Sequence, residues 1–293
     1  KTKKMKKAIL LLLTLALVMT ASAQKGYLKA YTIYDAKGHE VGFEEMMEKV
    51  KKSDVVFFGE MHNSPVSHWL ETQVLKSMYH SFGHRLTVGM EMFEADNQLI
   101  IDEYLDGWIT TSRFEAECRL WPNYSTDYEP IVDMVREDSL RLIATNVPRR
   151  YANMVKNRGL KSLDSLTSQA KSYMCPLPLQ FKADEGQASA FSMMALMGKG
   201  GNPGNMAAAQ ALKDATMGWN IARNIKGKFL HINGNYHSDN RQGTVEYLLR
   251  YRPNTSVSVI TSATQDDISR LDEENKGRGD FIICVTSDFN TSY

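Results

Sequence analysis

Six short apolar runs, rich in β-branched residues, constrain this chain more than any other feature; they cover 54–59, 85–91, 140–145, 228–233, 256–261 and 280–286. Their apolarity is nearly continuous rather than alternating, the pattern of strands covered on both faces. Most are separated by helical patterns. Ser64 followed by Pro65 reads as an N-cap with proline in the first turn, and starts a helix towards His80. Further helices are expected over 96–106, 128–138 and 243–250. Strands alternating with helices predict an α/β fold, a mostly parallel β-sheet flanked by helices.

One stretch departs from that rhythm. Between 149 and 224 no strand pattern appears, and the composition shifts towards Ala, Met, Gln and Lys. Helical patterns at 185–197 and 205–225 flank the glycine-rich loop 198–204, and glycines at that density permit many backbone states. We read a helical subdomain inserted between the third and fourth runs. The charged segment 266–279 is read as a solvated loop or helix face.

The first residues bear on compartment. Lys3, Lys4, Lys6 and Lys7 precede an apolar run over 8–19 that ends in Ala21, Ser22 and Ala23. A basic start, an apolar middle and a small-x-small exit are those of a secretory signal peptide over 1–23, with cleavage after Ala23. A membrane anchor needs about 18 or more apolar residues, more than this run offers. Loss of five leader lysines takes the formal charge from +1 to −4, a balance that argues against nucleic acid as a partner. No cysteine follows the leader to carry a lipid, so an exported protein of the periplasm or outer-membrane surface is expected. Cys118, Cys175 and Cys284 make no disulfide framework. Cys284 sits in an apolar run and reads as core, and a pairing of Cys118 with Cys175 is left open.

In an open parallel sheet, ligands bind beyond the carboxyl ends of the strands. There this chain places Gly59-Glu60-Met61-His62, Glu91, Asn146 and Gly234-Asn235-Tyr236-His237. Glu60, His62, Glu91 and His237 should line one rim, two of them inside the same Gly-x-x-His frame. Two imidazoles and two carboxylates suit a divalent metal, or a water activated by a general base. Taken singly, a histidine at a strand end is more often a satisfied structural residue than a ligand, and Glu60 could simply accept hydrogen bonds from the backbone N–H groups at the next helix start. His68, one turn into that helix, faces either the site or solvent. Met193, Met194, Met197, Met206 and Met217 read as core packing rather than a haem-facing surface. Trp121, Tyr124 and Tyr128 precede a helix and either pack against the helical subdomain or bind a flat ligand. The Gly-x-Ser-x-Gly elbow, the P-loop and the dinucleotide fingerprint are all missing from the sequence.

These residues resemble a known family. Gly59-Glu60-x-His62 with His68, then Gly89-Met90-Glu91-Met92-Phe93 with Gln98 and Tyr104-Leu105-x-Gly107, are similar to the ChaN family of haem-binding proteins, within the haem-binding uptake and Tiki superfamily. Trp121, Tyr128-x-Pro130, Ala144-x-Asn146-x-Pro148-Arg149, Ala209-Gln210-x-x-Lys213-Asp214-x-x-Met217 and Gly234-x-x-His237 extend the likeness from about 53 to 249, in order. The resemblance implies a role in iron or haem uptake, with haem held between two protomers on a tyrosine. Tyr124, Tyr128, Tyr151 and Tyr236 are the candidate ligands, and outer-membrane uptake components the implied partners. The chain departs from lipoprotein members of the family by lacking the lipid-bearing cysteine. The Tiki and TraB relatives imply instead a metal-dependent hydrolase acting through Glu60, His62, Glu91 and His237. A third reading is a partner-binding protein that keeps the rim without using it.

Overall fold

The structure, a computed structural model, describes residues 28–181 and 202–292. The leader at 1–23, the helical pattern at 185–197 with Met193, Met194 and Met197, and most of the glycine-rich loop lie outside the described residues. The chain divides into Lys1–Ala30 and Tyr31–Tyr293, and every element below belongs to the second.

The six apolar runs are all strands: β2 (Val55–Glu60), β3 (Leu86–Glu94), β4 (Arg141–Asn146), β5 (Lys228–Gly234), β6 (Val257–Gln265) and β7 (Phe281–Thr286). A seventh, β1 (Tyr31–Asp35), precedes them. The sheet runs β1-β7-β6-β2-β5-β3-β4. β1 pairs antiparallel with β7 and all other pairings are parallel. This is the mostly parallel sheet that the apolar runs predict.

Strand residues alternate between two covered faces. Val56, Phe58, Val88, Met90 and Ile232 pack under α1 (Phe43–Val50), α2 (Pro65–Phe82), α3 (Gln98–Leu105), α4 (Thr111–Glu117) and α5 (Glu129–Glu137). Val55, Phe57, Phe229 and Val259 pack on the opposite face. Of the helices α6 (Arg149–Arg158), α7 (Ser168–Lys171), α8 (Pro203–Asn224) and α9 (Thr244–Tyr251), that face is covered by the end of α8 and by α9. Phe57 and Phe58 are wholly buried, each worth about 2–3 kcal/mol of apolar burial. Such double coverage is why the strands read as continuous apolar runs.

Ser64 caps α2 by accepting from the Ser67 N–H at 3.3 Å, with Pro65 in the first turn. Among the described residues no strand lies between β4 and β5. There α6 and α8 share a separate apolar cluster that includes Val155, Leu212 and Ala215. Met206 and Met217 are core residues. All three cysteines are free and buried, with Cys118 and Cys175 in different clusters and Cys284 in the core. The charged segment 266–279 is a loop with one 3-10 turn at Glu273–Asn275, yet Ile268 and Leu271 fold back from it onto β7. Gln265 organises this turn, its side chain bonding to the backbone of Asp267, Arg270 and Asp272. No helix among the described residues is long and apolar enough to cross a membrane.

Candidate functional site at the strand ends

β2, β5 and β3 are neighbours, so their carboxyl ends bring Glu60, His62, Glu91 and His237 to one edge of the sheet. Strand alternation turns Glu60 and Glu91 to opposite faces, while His62, bonded to Glu60 and seated on Gly234, also lies within reach of the charges of Glu91 and His237. Glu60 shares the parity of Val56 and Phe58 and faces α2 and α5. Glu91 shares the parity of Gly89, whose missing Cβ points at Phe229 on the other face, and it turns towards α8. The edge therefore holds two constellations.

On the α2 face, the His62 ring nitrogen Nδ1 lies 2.5 Å from Glu60 Oε1, which also accepts the Tyr128 hydroxyl at 2.7 Å. His68 is buried rather than solvent-facing. Its Nδ1 stands 3.2 Å from Glu71 and 3.5 Å from Glu60, and its Nε2 lies 3.2 Å from the His62 carbonyl and 3.4 Å from Asp127. Burial pushes Glu60 up to about 8, with the Glu71 charge adding to it against the His62 hydrogen bond. Burial likewise lifts Glu71 to about 8. A desolvated carboxylate beside another holds its proton more tightly. Among the described residues, Glu60, His68 and Glu71 are the group whose donor atoms all lie within 4.8 Å of one another.

On the α8 face, His237 is clamped between two carboxylates, Nδ1 at 2.6 Å from Asp214 and Nε2 at 3.0 Å from Glu91. The Gln210 amide nitrogen lies 3.1 Å from each ring nitrogen. The second oxygen of Glu91 accepts the Gly234 N–H at 2.8 Å. Burial opposes the imidazolium, but the charges of Glu91 and Asp214 outweigh it and raise His237 to about 10. Burial alone would raise Glu91; His237, by charge and hydrogen bond, brings it below the usual carboxylate range. This is a saturated ion pair whose donors and acceptors are spent on one another.

The four tyrosines differ sharply. Tyr128 is fully buried with its hydroxyl on Glu60, and Tyr124 is buried against Phe93 and Phe114. Burial pushes both phenols far above the ordinary tyrosine value. Tyr151 is half-buried beneath the Arg150 guanidinium. Tyr236 is 50% exposed, its ring 5.9 Å from that of His237. Trp121 packs edge-on against His62 at 4.9 Å, and Tyr124 belongs to the core above the α2 face. The aromatic group thus walls the strand-end site, and among the described residues it belongs to the cluster under α2 and α5 rather than to the one that α6 and α8 share.

Beside Gln210, α6 and α8 enclose an open groove of about 280 Å³. Ala152, Met206 and Ala209 give it an apolar wall, and Arg149, Lys156 and Lys213 surround that wall with cations.

Glu71, Asp127 and Asp214 belong to these constellations but are not among the site residues expected from sequence. Glu71 had a signal, standing three residues after His68 on the same helical face. Asp214 lies inside a stretch shared with the family. Asp127 arrives from the single π-helical turn Tyr124–Tyr128, which has no periodic pattern, and nothing local marks it.

A family model described as haem-binding uptake, Tiki superfamily, ChaN matches residues 46–248. The chain belongs to the ChaN family. A solved structure, reported as cofacial heme binding to ChaN of Campylobacter jejuni, superposes with a TM-score of 0.66 at 17% identity, covering 87% of this chain and 96% of that one. At that identity the likeness speaks for the ChaN fold alone. The type III effector HopBA1 superposes at a TM-score of 0.46 and 11% identity, covering 84% of this chain and 92% of its own, too distant to carry an argument. In sequence, the chloroplastic protein RETICULATA-RELATED 5 of Arabidopsis thaliana is 23% identical over 139 residues, 45% of this chain and 19% of that protein. This ChaN-family chain thus spans about a fifth of that relative's length.

Proposed function

We propose that this ChaN-family protein captures haem on the face formed by Tyr236 and the α6–α8 groove, and passes it on within an iron-uptake system. The single observation that carries the reading is the exposure of Tyr236. Of the four candidate tyrosines it alone presents half of its surface to solvent, at the exit of β5 and beside His237. A phenolate ligand must reach the iron, and Tyr124 and Tyr128 are sealed in the core.

The groove fits the rest of such a ligand. Haem is a flat apolar ring with two carboxylates. Ala152, Met206 and Ala209 suit the ring, and Lys156 and Lys213 suit the carboxylates, Arg149 being paired with Glu94. Gln210 lines the groove and touches His237, which joins it to the Tyr236 turn. A groove this open covers one face of the ring and leaves the other for a second protomer; cofacial haem in the Campylobacter relative is in keeping with this. Export through the basic and apolar leader would place the protein where haem is taken up. When bound, haem supplies the iron; the chain supplies an oxygen ligand, an apolar wall and counter-charges, with capture and release rather than turnover.

Titration of the purified protein with haemin tests this. The expected result is an iron–phenolate absorption spectrum, a shift from monomer to dimer, and loss of that spectrum in Tyr236→Phe. A Tyr236→Phe variant with the wild-type spectrum and affinity would overturn the assignment.

A further inference from the structure

We propose that Glu60, His68 and Glu71 bind one first-row divalent cation, reached through the pocket between the start of α2 and the turn at 126–130. The site is separate from the haem face and does not depend on it. Of the four rim residues expected from sequence, it uses Glu60 alone.

Three observations converge. The first is the donor set: one imidazole nitrogen and two carboxylates, all within 4.8 Å of one another. Mixed nitrogen and oxygen donors suit Zn²⁺ or Mn²⁺ better than Mg²⁺ or Ca²⁺, which prefer oxygen alone. The spacing is built in, since residues 68 and 71 share one helical face and the β2 exit delivers residue 60 to it.

The second is an unmet demand. Glu60 and Glu71 are 1% and 0% exposed, and neither Glu60 Oε2 nor Glu71 Oε1 has a hydrogen-bond partner among the described residues. Two adjacent buried carboxyl groups, each with one oxygen left without a donor, are a costly arrangement. A cation between them removes the repulsion and satisfies both orphan oxygens.

The third is the orientation of the surrounding groups. Tyr128 and His62 hold the other oxygen of Glu60 at 2.7 and 2.5 Å, which fixes Oε2 in place. His68 turns Nδ1 towards both glutamates while Nε2 lies against the His62 carbonyl and Asp127, at 3.2 and 3.4 Å. A metal-bound histidine ordinarily donates its second N–H to such a carbonyl or carboxylate. Asp127 is itself held by Asn123 and Ser292, each at 2.7 Å. The access route is a pocket of about 330 Å³ whose lining includes His68, Thr72, Thr126 and Asp127.

The alternative occupant is a single proton shared by the two carboxylates. Calorimetric titration of the chelator-stripped full-length protein with Zn²⁺, and separately with Mn²⁺, decides between them. One equivalent is expected, with a rise in melting temperature and binding at least tenfold weaker in Glu71→Gln and His68→Gln. If the stripped wild type binds neither ion at millimolar concentration, or a folded Glu71→Gln binds as tightly, the proposal fails. Should both variants fail to fold, anomalous diffraction from Zn²⁺-soaked wild-type crystals gives the answer. A peak among the three donors supports the site, and peaks elsewhere alone overturn it.

Discussion

The imidazole of His62 stands where a side chain on Gly234 would begin: a Cβ there would lie 2.5 Å from His62 Nε2 and 2.7 Å from its Cε1. The two Gly-x-x-His turns are therefore interlocked, with the histidine of the first seated on the glycine of the second. Backbone freedom is not the reason for this glycine, since its φ is −56°; the space above it is. Gly234→Ala should displace the His62 ring and destabilise the protein by about 2 kcal/mol, as overpacking does. Thermal denaturation measures the loss, and the amide spectrum should show His62 and Trp121 moving together. An unchanged melting temperature would contradict the interlock.

The His237 clamp predicts an asymmetric response to mutation. Asp214→Ala removes the carboxylate at 2.6 Å and also strands the Thr244 hydroxyl, which donates to the same oxygen at 2.9 Å. Removing one partner of a buried pair costs about 3 kcal/mol, to be read from the denaturant midpoint. Asp214→Asn keeps the hydrogen-bonding shape and should lose less than half as much.

Tyr128 and Tyr236 should separate stability from ligand binding. Tyr128→Phe deletes the hydroxyl that donates to buried Glu60 and should cost about 2 kcal/mol. Its haemin spectrum should match wild type. Tyr236→Phe should have the opposite profile, with a smaller loss of stability than Tyr128→Phe and a lost iron–phenolate band.

His231 sets an acid limit on stability. It is fully buried between Thr145 and Asn233, at 2.9 and 3.0 Å, and burial lowers its pKa to about 4. The unfolded chain protonates this ring near the ordinary value of 6.5, so between pH 6.5 and 4 the unfolded state binds the extra proton. Its contribution is fully present above pH 6.5 and is lost as pH falls to 4, a loss of roughly 3 kcal/mol. In His231→Gln, the slope of unfolding free energy against pH should flatten in that window. An unaltered slope would rule out His231 as its source.

By itself the sequence determined the strands, the order of elements and the edge at which the polar residues collect. Continuous apolar runs such as Val55–Glu60 are legible because burial on both faces leaves no room for polar alternation. β1 was not legible: Tyr31–Asp35 is short, sits at an edge and is defined by its antiparallel partner β7 rather than by its own pattern. At the site, sequence assembled Glu60, His62, Glu91 and His237 as one group, and in space they do share one edge. Only the tertiary structure decided that Glu60 and Glu91 turn to opposite faces with His62 linking the two groups, because a strand's side-chain direction depends on a register that single residues do not reveal. Only it brought Glu71, Asp127 and Asp214 to the site, from a helix face, the π-helical turn before α5 and a helix remote in sequence. The Gly-x-x-His turns themselves sharpened from two strand exits into one packed contact, His62 on Gly234, a relation that exists only once β2 and β5 lie side by side.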